Sequence, residues 1–371
     1  MLVIPTFAVF HAFSSGALWL LAVLIFIGFD GTNRKANRWL GLFYGILACT
    51  YAQLYLEASG TGTNLLIHLL ELPRWAMQPS LYIAVYYYTS PATRRPKYGW
   101  LHFVPFLLFF LFSIFYILPG IFHEQHQLPV LAPWMRFVIR YFFLGQALYY
   151  WASCFYRYRL HQNNIKTIAS YTEKINLEWL HYLLISILFL ILISIASKSN
   201  TSIAYGAPLL YFLAILPLAY WTLAQKSIYV LEASPTGEED KLPVKKQLNE
   251  RLSTEQVAAL QSIVERKTKD EKLYLDPLLT LSMLSDKVGI STHELSYVLN
   301  NGLNKTFYQF INELRTAEAM TLLLSVELQH LDLLGIAIRA GFNSKTTFYS
   351  SFKKITGLTP KAYLKTHKKT D

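Results

Sequence analysis

Seven apolar stretches constrain this chain more than any other feature. A helix needs ~20 mostly apolar residues to cross the hydrocarbon core of a bilayer. The stretches cover residues 6–28, 38–57, 64–89, 99–119, 134–155, 178–197 and 204–224. They predict an all-α fold whose first part, residues 1–224, is a polytopic transmembrane helix bundle of about seven spans. Residues 1–224 hold 14 Lys/Arg and 6 Asp/Glu, whereas residues 225–371 hold 20 and 17. A membrane part is therefore followed by a water-soluble part. The leader MLVIPTF lacks a basic n-region and the apolar run behind it is long, so the first run is expected to stay as a span rather than be cleaved.

The connecting loops set the orientation, because Lys and Arg collect on the cytoplasmic side. Residues 29–37, with the start of the next span, carry Arg34, Lys35 and Arg38; loop 90–98 carries Arg94, Arg95 and Lys97; loop 156–177 carries Arg157, Arg159, Lys166 and Lys174. The alternate loops, 58–63, 120–133 and 198–203, hold only Lys198. This pattern predicts a multi-pass protein of a bacterial inner (cytoplasmic) membrane, with its N-terminus outside and its C-terminal part in the cytoplasm.

Polar residues inside the spans are candidates for sensing. The third stretch contains HLLELPRWAMQPS, with Glu71, Pro73, Arg74 and Pro79. A charge at the bilayer centre costs about 2.5–3.5 kcal/mol even on the gentler scale. Glu71 and Arg74 either form a pair in a ligand pocket on a Pro-broken helix, or lie near the outer interface and snorkel. Arg136 and Arg140, at the start of the fifth stretch, share the two readings. These four form the candidate sensing set for an unidentified small-molecule or envelope signal. His11 and His68 read as satisfied bundle residues. The loop with His123, Glu124 and His126 lacks the HExxH spacing of a zinc helix. Cys49 and Cys154 read as small hydrophobes. No metal and no cofactor are expected.

Residues 225–252 are polar, with Pro235, Gly237 and Pro243, and read as a cytoplasmic linker. Ser253–Gln256 (STEQ) is a capping-box signature that opens a connecting helix over 253–272. Beyond it lies a module, 273–371, that is helical throughout. In LTLSMLSDKVGIS a short helix with Leu281, Leu284 and Val288 ends at Gly289, and Ser291 with Glu294 caps the next. That next helix puts Leu295, Val298 and Leu299 on its core face and His293, Tyr297 and Asn300 on the opposite one, with Asn301 at its edge. The pattern returns in LLGIAIRAGFNS, where Gly341 makes the turn and Asn343 or Ser344 the cap. The following helix buries Phe348, Phe352 and Ile355 and exposes Thr346, Thr347, Ser350, Lys353 and Lys354. Between the two lies FYQFINELRTAEAMTLLLS, a long helix by its apolar spacing.

Two short helices joined by a glycine turn, the second apolar inside and polar outside, form a helix-turn-helix. Gly289 and Gly341 stand 52 residues apart. A rigid helix between them can hold two recognition helices about one DNA turn, ~34 Å, apart on one face of a duplex. From Gly341 onward there are seven Lys against one Asp, a basic tail suited to phosphate.

Residues 273–366 closely resemble the DNA-binding domain of the AraC/XylS transcription regulators. The resemblance rests on Leu281, Gly289, Ser291 and Leu295 in the first motif. It continues through Phe310, Ile311, Asn312, Arg315, Ala319 and Leu323 in the linker helix. In the second motif it includes Ile336, Ala337, Gly341, Phe342, Ser344, Phe348, Phe352, Lys353, Gly357, Thr359 and Pro360. It implies a bilobed all-α domain that binds promoter or operator DNA, as a monomer or a homodimer. The whole layout resembles membrane-anchored members of that family. Ser285 stands where the family usually has Ala, and Ser350 where a basic residue is common.

Contact chemistry then assigns roles. His293, Tyr297 and Asn300 face bases in the first lobe, Asn being suited to a bidentate pair with adenine. Thr346, Thr347 and Ser350 face the groove in the second. Lys345, Lys353 and Lys354 supply phosphate contacts, and the helix starts at Ser291 and at Asn343–Ser344 offer backbone N–H groups to phosphate. The other reading of each is a solvated polar face. The chain has no G-x-S-x-G, no P-loop and no HExxH, so an enzyme is not expected. The competing function is a receptor or transporter whose C-terminal module docks a protein instead of DNA.

Overall fold

The computed structural model describes residues 6–27, 33–90, 95–119, 131–170, 177–196, a few positions between 207 and 220, 253–325 and 331–367. Most of the seventh apolar stretch, the linker 225–252, the loop with His123, Glu124 and His126, and Arg94, Lys174 and Lys198 lie outside the described residues. The described elements are helical. The chain divides into two compact units, Met1–Leu160 with Leu177–Val230, and His161–Asn176 with Leu231–Asp371.

The N-terminal unit starts with α1 (Thr6–Ile27) and α2 (Arg34–Ser59). Leu18, Leu21, Ala22 and Ile25 of α1 share a core with Leu40, Phe43, Tyr44 and Leu47 of α2. The third stretch is broken into α3 (Asn64–Glu71) and α4 (Arg74–Thr89). The break falls at Pro73, which has no N–H to donate and whose ring obstructs the preceding turn. The fourth stretch opens as a 3₁₀ turn, Gly99–Phe103, continues as α5 (Val104–Phe112) and ends in a π turn, Ser113–Ile117. Then come α6 (Pro133–Ile168) and α7 (Glu178–Ala196).

Seven spans are expected from the sequence; among the described residues four helices are long and apolar enough to cross a membrane. They are Ala8–Ile27, Arg34–Ser59, Gly99–Ile117 and Glu178–Ala196. The third stretch is lost from this set because Pro73 cuts it into two short helices. In α6 the apolar surface is largely aromatic and is interrupted by Arg136, Arg140, Arg157 and Arg159. Large apolar side chains point outward from these helices, among them Phe13, Leu20 and Phe26 on α1 and Phe189 and Leu192 on α7. Such faces call for an apolar surrounding.

The C-terminal unit includes α8 (Thr254–Asp270), opened by the reciprocal Ser253–Gln256 capping box. A 3₁₀ turn, Leu273–Leu275, leads to α9 (Leu281–Val288), α10 (Thr292–Tyr297) and a π turn, Val298–Gly302. After it come α11 (Phe307–Leu324), α12 (Leu333–Arg339), α13 (Lys345–Thr356) and α14 (Pro360–His367). Two larger cores are found among the described residues of 253–367. One joins Val264, Leu279, Leu284, Leu295, Leu299, Phe307 and Ile311, among others. The other joins Ala319, Leu323, Ile336, Phe342, Phe348, Phe352 and Tyr363. Helix α11 contributes its first half to one and its second half to the other, which makes it the bar between two lobes. Residues 156–177 read as a loop in the sequence; α6 instead runs on to Ile168, and residues 161–176 group with the C-terminal unit.

Candidate nucleic-acid interface

The first lobe presents α9, a glycine turn and α10. Gly289 takes φ +86°, a left-handed conformation that side chains disfavour. Ser291 then starts α10. Its hydroxyl accepts from the Glu294 N–H at 3.2 Å and donates to Glu294 Oε2 at 2.7 Å, while the Ser291 N–H donates to the same oxygen at 2.9 Å. These bonds hold the Glu294 carboxyl below its usual range. They also alter the expectation of a phosphate at this helix start, because a carboxylate already sits there and would repel one.

His293 is exposed and Tyr297 half-buried on the outer side of α10. Asn300 is exposed too, but it lies in the π turn rather than on a regular helix. Its amide nitrogen is turned back onto the Ser296 carbonyl oxygen at 2.8 Å and the Ser296 hydroxyl at 3.3 Å. A bidentate bond to a base requires that amide to let go of Ser296.

The second lobe repeats the arrangement. Asp332 caps α12 by accepting from the Gly335 N–H at 2.7 Å. Gly341, at φ +85°, makes the turn. Ser344 caps α13 by accepting from the Thr347 N–H at 3.1 Å. No carboxylate is near this cap in sequence, so the start of α13 is the better anion site of the two. Asn343, Lys345, Thr346, Ser350, Lys353 and Lys354 are all exposed.

Two positions on α13 differ from expectation. Thr347 is only 6% exposed and cannot face a groove. The buried stripe is Thr347, Phe348, Ser351 and Phe352, one position wider than the apolar residues alone suggest. Ile355, expected in the core, is 44% exposed; it shares the stripe's azimuth but is not part of the second core. Tyr349 is not among the expected contacts. It is half-buried, with the Lys345 ammonium 5.7 Å from its ring centre.

A buried arginine stands in the middle of the unit. Arg315 of α11 is 0% exposed. Its Nε–H donates to Tyr274 O at 2.7 Å and its Nη2 donates to Asp276 O at 2.6 Å. Burial lowers its pKa to about 10, which still leaves it charged at neutral pH.

In the N-terminal unit the candidate sensing residues fall into two groups. Arg74 Nη1 lies 3.5 Å from Glu71 Oε1, and Arg74 Nη2 donates to Gln53 Oε1 at 2.7 Å. Gln53 donates in turn to Glu57 Oε1 at 2.8 Å, and His68 is hydrogen-bonded to Ser113. The Glu71–Arg74 pair is thus one link in a polar chain across α2, α3, α4 and the π turn. Arg136 and Arg140 are exposed on α6 instead, Arg140 beside the Tyr141 ring.

Comparison with known proteins bears on the C-terminal part alone. A family model described as "Helix-turn-helix domain" matches residues 284–366. The melibiose operon regulatory protein of Escherichia coli (strain K12) is 30% identical over 90 residues, covering 24% of this chain and 29% of that protein. The protein of the same name from Escherichia coli O6:H1 matches to the same extent. The chain therefore spans less than a third of the length of these curated relatives. No solved structure matches. Two capped helix-turn-helix units on a shared helix, with this family match and these relatives, identify the C-terminal domain of the chain as an AraC/XylS-type helix-turn-helix domain.

Proposed function

We propose that the chain is a membrane-embedded transcription regulator that binds promoter DNA through residues 273–371 and receives a signal through its apolar N-terminal part. The observation that carries this reading is the pairing of two glycine-turn motifs on one buried helix. Each motif ends in a helix with a polar outer face, at α10 and at α13. His293, Tyr297 and Asn300 are the proposed base readers of the first lobe, and Thr346 and Ser350 those of the second. Lys345, Lys353, Lys354 and the α13 start at Asn343 and Ser344 take phosphates, which position a protein without reading sequence.

The apolar faces of α1 and α7 support a place in the bilayer, and the Lys/Arg asymmetry of the loops supports a cytoplasmic module in a bacterial inner membrane. The Glu71–Arg74–Gln53 chain is the proposed point of contact for a polar signal. The relatives are named for control of an operon, which supports promoter DNA as the partner.

The test is to cross-link and immunoprecipitate the full-length protein from cells and sequence the attached DNA. A few sharp peaks at promoters are expected. No enrichment over an untagged strain under several growth conditions would overturn the DNA reading and leave the module as a docking site for protein.

A further inference from the structure

The loop after α6 completes the hydrogen-bond shell of the buried arginine in the DNA-binding unit. Arg315 has five N–H groups. Three go to its own lobe: to Tyr274 O, to Asp276 O, and from Nη1 to Asn312 Oδ1 at 3.4 Å. The other two go to Ser170, 145 residues earlier: Nη1 to its carbonyl oxygen at 3.3 Å and Nη2 to its hydroxyl at 3.1 Å. Asn312 also donates to Ser170 O at 3.3 Å, and the Ser170 hydroxyl donates to Leu279 O at 2.7 Å. One residue earlier, Ala169 forms an antiparallel bridge with Thr280, the residue that caps α9. Ala169, Ser170 and Arg315 are all completely buried.

We propose that residues 165–170 are an intramolecular docking segment, and that its seating on Arg315 and Thr280 sets the DNA-binding state of the first lobe. The proposal rests on the DNA reading given above. Its physical basis is the lack of any carboxylate on Arg315 among the described ion pairs. The Asp276 carboxylate favours the charge without an ion-pair contact, but all five hydrogen bonds go to neutral acceptors, and two of the five come from the segment. Withdrawing Ser170 leaves a buried cation with N–H groups unmade, a costly state, so the lobe must rearrange or admit water. The segment also borders the cap of α9, the helix that supports α10. The segment includes the last residues of α6, and Ala169 and Ser170 follow Ile168 directly, so a shift of that helix along its axis would pull on Ser170. A two-state element that both ends can bias is what coupling requires.

The test uses the full-length protein in membrane vesicles carrying Ala169→Cys and Thr280→Cys together. Paired residues opposite each other in an antiparallel bridge are close enough for a disulfide to form with modest adjustment. The single variants control for reaction with Cys49 and Cys154, and Lys166→Cys with Thr280→Cys controls for random encounter. DNA retained from a random-sequence pool is measured oxidised and reduced. The expected result is rapid cross-linking of the 169/280 pair alone, with a change of about fivefold or more in retained DNA on oxidation. Ser170→Ala, which removes one acceptor from Arg315, is expected to move retention in the opposite direction. No cross-linking above the control pair would show that the segment does not dock. Cross-linking with unchanged retention in both tests would make it a static brace and overturn the regulatory role. A double variant that cross-links normally on oxidation yet retains no DNA at low salt when reduced would instead sink the DNA reading.

Discussion

Gly341 and Tyr274 are so close that a Cβ on the glycine would stand 2.6 Å from the tyrosine carbonyl oxygen. The turn of the second motif is therefore pressed against the backbone that precedes the first. The same carbonyl takes the Arg315 Nε–H, so one peptide unit ties α11 and both motifs together. Gly341→Ala meets two obstacles. The left-handed backbone costs about 1–2 kcal/mol for a residue with a Cβ, and the neighbours are backbone atoms that cannot swing away, Leu275 Cα at 2.7 Å among them. Gly289→Ala meets only the first, since no atom lies within 4 Å of its Cβ position. Hydrogen exchange on the two variants is expected to show a local effect on α9–α10 for Gly289→Ala. For Gly341→Ala it should show a larger effect that reaches both α12–α13 and Leu273–Leu275. Equal, local effects would mean that the lobes are not in contact there.

Glu294 gives the first motif a pH dependence with a definite sign. Its folded pKa is lowered by the hydrogen bonds from the Ser291 hydroxyl and N–H. Its contribution to stability is complete above the unfolded carboxylate value of about 4.3 and fades as pH falls through the lower folded value. Glu294→Gln is expected to unfold at lower urea than wild type at neutral pH and to match it in strong acid. Urea titrations followed by circular dichroism at both pH values check this. A gap that persists in acid would assign the effect to packing rather than to the charge. Ser291→Ala, which removes the cap itself, is expected to cost about 1 kcal/mol.

The local architecture of the C-terminal domain was legible because its signals are short-range. The Ser253–Gln256 and Ser291–Glu294 boxes span three residues each, and the left-handed turns at Gly289 and Gly341 follow from single glycines. Pro73 allows a broken helix in the third stretch, although by apolar length that stretch reads as a single span. What the sequence hid depends on distance or on finer packing. Nothing around Ser170 signals that it meets Arg315, because no periodicity links residues 145 apart. Thr347 reads as an outer-face residue in the sequence, but it flanks Phe348 and is buried. A fixed advance of 100° per residue also fails at Val298–Gly302, where a π turn winds more slowly. That places Asn300 differently from a regular helix.

Asn300 is the sharper test of the first lobe for that reason. If it leaves Ser296 to pair with a base, Asn300→Ala should relax preference at one or two base pairs by about 1–3 kcal/mol and leave other positions alone. Competition among singly substituted operator duplexes measures this. An unchanged profile would mean that the amide stays on the Ser296 carbonyl and that His293 and Tyr297 read the groove without it.

The second lobe should show the opposite behaviour, because the exposed charges of α13 are lysines. Lys353 and Lys354 stand exposed in the last turn of α13, and an ammonium contacts phosphate as a point charge without distinguishing bases. Lys353→Ala is expected to weaken all operators by a similar factor and to reduce the slope of log affinity against log salt by ~1. Ser350 lies exposed on the same helix, one turn before Lys354. Ser350→Arg restores a basic side chain there, and is expected to raise affinity and steepen the salt slope by a similar amount. Fluorescence anisotropy of the full-length protein in detergent, titrated at several salt concentrations, reads both. If Lys353→Ala changes one operator and spares the rest, that lysine reads a base. If neither variant moves the slope, α13 does not lie against the duplex and the first lobe binds alone.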